Sequence, residues 1–558
     1  MESGSSGGRA PQAVPELTAH ATAHLKILTG QGDLPCSAFV AFAHLQRLDR
    51  LEPDAVAHLR DDRAGVLDWY LTDFAAEHAS MRPPLSEQDI SFLLSDDTLS
   101  GLPFPIPRIV LWHALRPHSG APQLYSTTER DLAQWWVSHK APQMAVEDCL
   151  VPARYIDLLG LQQARASARP VTLAMPALVT QRPDVQVIGP MHQQSGLGRA
   201  TRLSVETFRR AGLRVTATNF SYGFPSPALL DAEITAQNVP GPAPAAVIHL
   251  NPDMLPWLFA AGQGDIPARR AGYFFWELDR PATCDFLALD LVDEIWTASE
   301  FVKNVYLPFF NGIVDCVGLA TPPILAPDRN ASRSTLRSLA GLSPDSFVFL
   351  SVFDGFSYVE RKNPLGAIRA FQSAFPSDRA VSLVIKTHNR PAAGTTGQGA
   401  LWREIERICT TDPRIRVLDQ TLAHEGVLSL VAGADAFVSL HRSEGWGLSV
   451  LESMQLGVPV IATAYSGTED FCTEDTAWRV PYTLIPVQHG DYVHAEPHHH
   501  WADPDPDVAA WAMADLRGSS ERCMSRSRAA QTLIASKLSL EAVGARYTQA
   551  LERLLARA

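Results

Sequence analysis

Two carboxylates, Glu444 and Glu452, stand eight residues apart in the stretch HRSEGWGLSVLESMQLGVPVIATAYSGTEDF that begins at His441. Glycines flank the first. The second falls about one turn into a helix predicted over 448–456. On one continuous helix the pair would be about 80° apart around the axis. With Glu444 in a loop, the two carboxylates reach opposite ends of one polar ligand. A carboxylate accepts two hydroxyl hydrogen bonds at once, which suits sugar hydroxyls. Plain roles stay open too: a charge at a helix N-terminus for Glu444 and a surface position for Glu452.

Two further constellations carry charge or backbone donors. Arg361 and Lys362 follow an apolar strand, predicted over 347–353, and precede a helix predicted from Pro364, a residue suited to a first helical turn. Cations at the carboxyl edge of a parallel sheet neutralise a diphosphate; a solvated basic pair on a loop is the plain alternative. Gly196 and Gly198 lie in SGLGR (195–199), between a strand at 185–188 and a helix at 199–211. Such glycines let backbone approach an anion at a helix start. The segment is not a full GxGxxG fingerprint, and a tight turn explains it equally.

Elements must bring these segments together. Residues 10–174 read as short helices interrupted by Pro83–Pro84 and by prolines at 103, 105 and 107, with apolar residues at helical spacing over 58–77 and 129–137. The tryptophans there read as packing anchors. From 184 onward, strand-like runs (185–188, 213–217, 245–250, 272–275, 294–297, 313–317) alternate with helical text. The alternation restarts after the Pro-bearing linker 320–327, with strands at 347–353, 381–386, 415–418, 436–440 and 458–462. This predicts α/β architecture: two doubly wound, Rossmann-like parallel sheets facing each other across a cleft at their strand ends. The tail at 539–557 reads as an amphipathic helix.

Composition limits what such a chain does. It has 558 residues, 46% hydrophobic and 19% charged, with a formal net charge of −13. The length calls for several domains, and the acidic balance makes nucleic acid an unexpected partner. Seven cysteines without a CxxC argue against a disulfide framework or a zinc site. No apolar run reaches the roughly 18–20 residues of a membrane span, and the start lacks the basic and apolar regions of a signal peptide. The expectation is a cytoplasmic multidomain enzyme.

Taken together, the segments resemble family 4 of the glycosyltransferases, retaining enzymes of GT-B fold, over about 184–558. Glu444 and Glu452 complete an E-x7-E signature. ERKNP (360–364), SGLGR and WADPD (501–505) are collinear with it, and GYFFWEL (272–278) looks like a segment of bacterial polysaccharide members. The resemblance implies a GT-B acceptor domain at 181–325 and a nucleotide-sugar donor domain at 326–535; the sequence pattern adds a disordered tail at 1–10, a helical accessory domain at 11–180 and a terminal helix at 536–558.

By the same resemblance Glu444 contacts the donor sugar and Glu452 the ribose. Arg361 and Lys362 bind the diphosphate, as do the amides of Gly196 and Gly198. Ser443, Gly445, Trp446, Gly447 and Leu448 line the donor pocket. A histidine that touches the reacting sugar in many members corresponds to His249 or Asn251. A second arginine common in the family is Phe356 here, with Arg361, Arg442 or Lys386 as substitutes. The implied partners are a nucleotide-sugar donor and a saccharide or lipid-linked acceptor, with no cofactor and no metal. A membrane or protein contact would run through the N-terminal region, at the inner face of the membrane. A nucleotide-sugar epimerase and a non-catalytic sugar-binding scaffold are the competing readings.

Overall fold

The computed structural model describes residues 40, 44, 62–74, 85, 87–97, 102–116, 119–141, 150–161, 182–220, 238–239, 241–260, 266–390, 398–488 and 490–556. The tail expected at 1–10 lies outside the described residues, as do parts of the helical reading of 10–174. The chain divides into two compact units: Val14–Thr180 with Pro256–Gly264, and Met1–Ala13 with Gln181–Leu255 and Asp265–Ala558.

The first unit is mainly helical in its described parts, with one short antiparallel pairing of Asp96–Asp97 against Ile106–Pro107 that the helical reading did not include. Arg63–Trp69 runs on into a π-helical turn, Tyr70–Phe74, and Glu129–Trp135 into another, Trp136–Lys140. Trp69, Trp135 and Trp136 are all buried. Trp136 donates its indole N–H to the Leu150 carbonyl at 3.2 Å. These are packing anchors, with the indole nitrogen satisfied as burial requires.

The second unit holds two six-stranded sheets, every pairing parallel. In the first lobe the strands are β1 (Val185–Gly189), β2 (Val215–Asn219), β3 (Ala245–Ile248), β4 (Arg269–Phe274), β5 (Glu294–Thr297) and β6 (Ile313–Cys316), in the order β2-β1-β3-β4-β5-β6. In the second they are β7 (Phe347–Val352), β8 (Val381–Thr387), β9 (Ile415–Asp419), β10 (Ala436–Ser439), β11 (Val460–Thr463) and β12 (Trp478–Val480), in the order β9-β8-β7-β10-β11-β12. Strands covered by helices on both faces need apolar side chains in both directions. Val381–Thr387 accordingly is buried at every position.

The second lobe has the dinucleotide-fold order, in which the connection reverses between β7 and β10. The crevice outside strand carboxyl ends at such a reversal is where ligands bind. Arg361 and Lys362 follow β7, and Glu444 follows β10, so the topology alone puts them beside each other. Helices α2 (Pro364–Ala374), α3 (His424–Gly433) and α4 (Leu448–Gln455) lead away from the same edge, and α1 (Gly196–Arg210) follows β1 of the first lobe.

Three features depart from the sequence reading. β12 is a three-residue strand too short for a periodic signal. A two-stranded antiparallel hairpin, β13 (Tyr482–Pro486) with β14 (His500–Pro504), contains the WADPD segment. β13 is mostly exposed and carries a proline, so it lacks strand alternation. The last helix, α5 (Leu540–Ala556), is not set apart but packs on the first lobe. Tyr547 meets Ser204 Oγ through its hydroxyl at 2.9 Å and Phe208 at a ring distance of 4.9 Å, while Arg553 pairs with buried Glu294 at 2.9 Å.

Candidate active site

The loops after β7 and β10 are welded by their own backbone. Asn363 takes a left-handed conformation (φ 50°), caps α2 by accepting from the Gly366 N–H at 3.0 Å, and donates to the Leu440 carbonyl at 2.9 Å. The Arg442 N–H donates to the Arg361 carbonyl at 2.7 Å. Glu444 is fixed through its backbone: its N–H donates to Ser466 Oγ at 2.8 Å and its carbonyl accepts from Gly467 at 2.9 Å. Gly447 then turns with φ 98°, where a side chain would be strained and its Cβ would stand 2.7 Å from Thr468 Cγ2. That turn releases α4 in the direction that carries Glu452 back to the cleft.

On this frame sits a buried charge cluster. Lys362 Nζ donates to Glu444 Oε1 at 2.5 Å, and Arg361 Nη1 donates to Glu444 Oε2 at 3.1 Å and to the Ser443 carbonyl at 2.9 Å. Glu277, from the loop after β4 in the opposite lobe, stands 3.6 Å from the same Arg361 nitrogen. Burial alone would raise the Glu444 pKa, but Lys362 and Arg361 outweigh it and hold the carboxylate well below its usual range. Burial lowers the Lys362 pKa, and the Arg361 charge adds to that. Arg361 would likewise be lowered by burial, but Glu277 and Glu444 overcome it and keep the guanidinium charged. Glu452 differs: burial pushes its carboxyl up to about 7, with Arg199 only partly offsetting. Arg199 lies 2.8 Å from it across the lobes, and His424 3.7 Å.

These groups line a cleft of about 1400 Å³ between the two sheets. Arg361, Lys362, Glu444, Gly445, Trp446, Gly447, Leu448 and Glu452 all border it, together with Gly196 and Asn251 from the first lobe. Other expected positions fall elsewhere. His249 is fully buried, stacks on Tyr273 at a ring distance of 4.3 Å, and is held at about 3 by burial. It faces the core, leaving Asn251 at the cleft, where its side-chain oxygen accepts from the Phe275 N–H at 3.3 Å. Gly198 also turns inward. Its N–H donates to Ser195 Oγ at 3.1 Å, and a Cβ there would stand 2.4 Å from the Gln193 carbonyl oxygen, so it serves the helix cap and close packing. Ser443 backs Arg361 through its carbonyl and does not line the cleft.

Phe356, where a second arginine was expected, borders the cleft and is 41% exposed. Lys386 borders it too but spends its ammonium on the carbonyls of Thr387 (2.9 Å) and Gln420 (2.6 Å). Arg442 pairs with Glu360 at 2.8 Å away from the cleft lining. Sequence reasoning passed over Glu277 and Tyr492 as site residues. Tyr492 donates its hydroxyl to Glu277 and borders the cleft from the β13–β14 loop. The FWEL segment was the only signal for Glu277, and no periodicity marks Tyr492.

Residues 358–488 match the family model described as glycosyl transferases group 1, which spans the Arg361–Lys362 loop, both E-x7-E carboxylates and the start of the hairpin. No curated relative matches the chain. HepE from Anabaena, in complex with UDP and glucose, is 11% identical with a TM-score of 0.50, covering 66% of this chain and all (100%) of that one. The second unit has the GT-B fold. Two further structures overlap less. A TarM variant from S. aureus is 13% identical, TM-score 0.40, covering 56% of this chain and 55% of that one. The pneumococcal O-GlcNAc transferase GtfA, in complex with UDP and GlcNAc, is 13% identical, TM-score 0.40, covering 56% and 57%. The chain thus spans little more than half the length of these last two. In the GT-B frame, the charge cluster occupies the second lobe's topological switch point and the facing lobe supplies Asn251, Glu277 and Arg199.

Proposed function

We propose that this chain is a retaining glycosyltransferase that moves a sugar from a nucleotide-diphosphate donor to a saccharide or lipid-linked acceptor, in the synthesis of a bacterial surface polysaccharide. The observation that carries this reading is the meeting of Arg361, Lys362 and Glu444 at the switch point, with Glu452 one helical turn further on. The group 1 family match over the same segment supports it. The acceptor class rests on the likeness of the FWEL segment alone.

In this reading the bond from the anomeric carbon to the phosphate oxygen breaks through an oxocarbenium-like state. Negative charge grows on the departing diphosphate. Preorganised cations there are the largest help a protein can give, and Arg361 and Lys362 are already held in place. The Gly196 amide at the start of α1 adds a donor. Glu444 grips the donor sugar's hydroxyls, and Glu452 the ribose. The acceptor oxygen bonds to the same face of the anomeric carbon, and its proton passes to the leaving phosphate oxygen. Closing the cleft excludes water and suppresses donor hydrolysis.

The experiment is transfer from UDP-, GDP- and dTDP-sugars, with product configuration read by NMR. The anomeric configuration of the donor should be kept. Glu444→Gln, which preserves shape while removing the charge, should lower kcat by at least about 100-fold with the melting temperature held within a few degrees. Near-normal turnover of the variant would remove Glu444 from the donor site, and inversion would overturn the mechanism.

A further inference from the structure

Glu277 is a carboxylate contributed by the first lobe to a cation of the second. It lies 3.6 Å from Arg361 Nη1, its side chain is 16% exposed, and Tyr492 anchors its other oxygen. Around this point the carboxylates outnumber the cations. Arg361 and Lys362 face Glu444 and Glu277, with Asp253 and the neutral, buried His441 nearby; burial holds His441 at about 4. A diphosphate entering a cluster without excess positive charge gains little from the two cations unless one carboxylate gives way. Glu444 is bonded to both cations at 2.5 and 3.1 Å, whereas Glu277 makes the longer contact and comes from the facing lobe.

We propose that Glu277 is a positioning residue that acts through Arg361: it occupies the guanidinium while the site lacks an anion, and the donor diphosphate competes with it. The carboxylate keeps Arg361 oriented toward the cleft in the resting protein and lowers the affinity for nucleotide diphosphates, easing release of that product. Tyr492 sets its rotamer. This inference rests on the assignment of Arg361 to the diphosphate given above.

The test is calorimetric binding of UDP, GDP and dTDP to the full chain and to Glu277→Gln, which keeps the side-chain shape and a partner for Tyr492. The variant should bind the preferred nucleotide roughly five- to fiftyfold more tightly, as expected when a guanidinium no longer shared with a carboxylate can give a charge-assisted hydrogen bond to the diphosphate. Glu277→Asp, which draws the carboxylate back by one methylene, should shift affinity the same way by less. In an Arg361→Gln background the Glu277→Gln gain should vanish. Unchanged or weaker binding by folded Glu277→Gln overturns the inference, and so does an equal gain in the Arg361→Gln background. Should Glu277→Gln not fold, Glu277→Asp decides alone. A wild-type chain that binds none of the three nucleotides overturns the diphosphate assignment and this inference together, whereas wild-type binding that Glu277 does not modulate overturns this inference alone.

Discussion

At the residue scale, the two carboxylates of the E-x7-E pair differ in electrostatic state. Glu444 is held ionised by two cations, while burial brings Glu452 to about 7. A folded-state pKa above the ordinary one means that the native protein holds this proton more tightly than the unfolded chain. The associated stability is present at low pH and lost as pH rises through about 7. Binding runs the other way, because an ionised carboxylate accepts two ribose hydroxyls. Nucleotide affinity should therefore rise several-fold between pH 6 and 8, and Glu452→Gln should flatten that step; a titration of Kd against pH checks both. The two glutamates were legible because both lie within one short, Gly-rich segment. Glu277 was not, because its partner Arg361 is remote in sequence and no local pattern reports a contact between lobes. His249 and Asn251 show the same limit at closer range. Two residues apart, both read as candidates, and only the path of the chain after β3 decides that the histidine goes to the core.

At the element scale, the parallel strands were legible from alternation, since strands buried on both faces read as apolar runs. The hairpin β13–β14 was not, and its loop brings Tyr492 to the cleft. Segments that are exposed, short or interrupted by proline leave no periodic signal even when they border a site. The last helix was read as a helix but not placed, because amphipathicity reports a buried face without naming what covers it. Here the cover is α1 and the first sheet. Tyr547 is fully buried and touches Phe208, Trp296 and Ser204. Tyr547→Ala should cost about 3–5 kcal/mol of stability, and Tyr547→Phe about 1 kcal/mol, read by denaturant unfolding followed through tryptophan fluorescence. An alanine variant as stable as wild type would mean that α5 adds little to the first lobe.

At the scale of the whole molecule, a chain of net charge −13 needs placed cations wherever it is to hold an anion. Arg361, Lys362 and helix N-termini supply them in the proposed mechanism, so transfer should continue in EDTA at no less than about half its rate; a collapse of activity restored by a divalent ion would refute that source of charge. Among the described residues, Glu496, His498 and His499 are close enough to share a metal ion, and they lie outside the cleft lining. The return of α5 to the first lobe also bears on synthesis. The lobe made first from the ribosome lacks the covering for α1 until residue 556 has emerged, after the entire second lobe. Its docking surface for α5 stays open through that interval, so the first lobe cannot finish folding in the order in which it is translated. A chain interrupted anywhere in the second lobe thus leaves both lobes incomplete, which makes the pair a single unit for chaperones and proteases although it is two sheets to the eye.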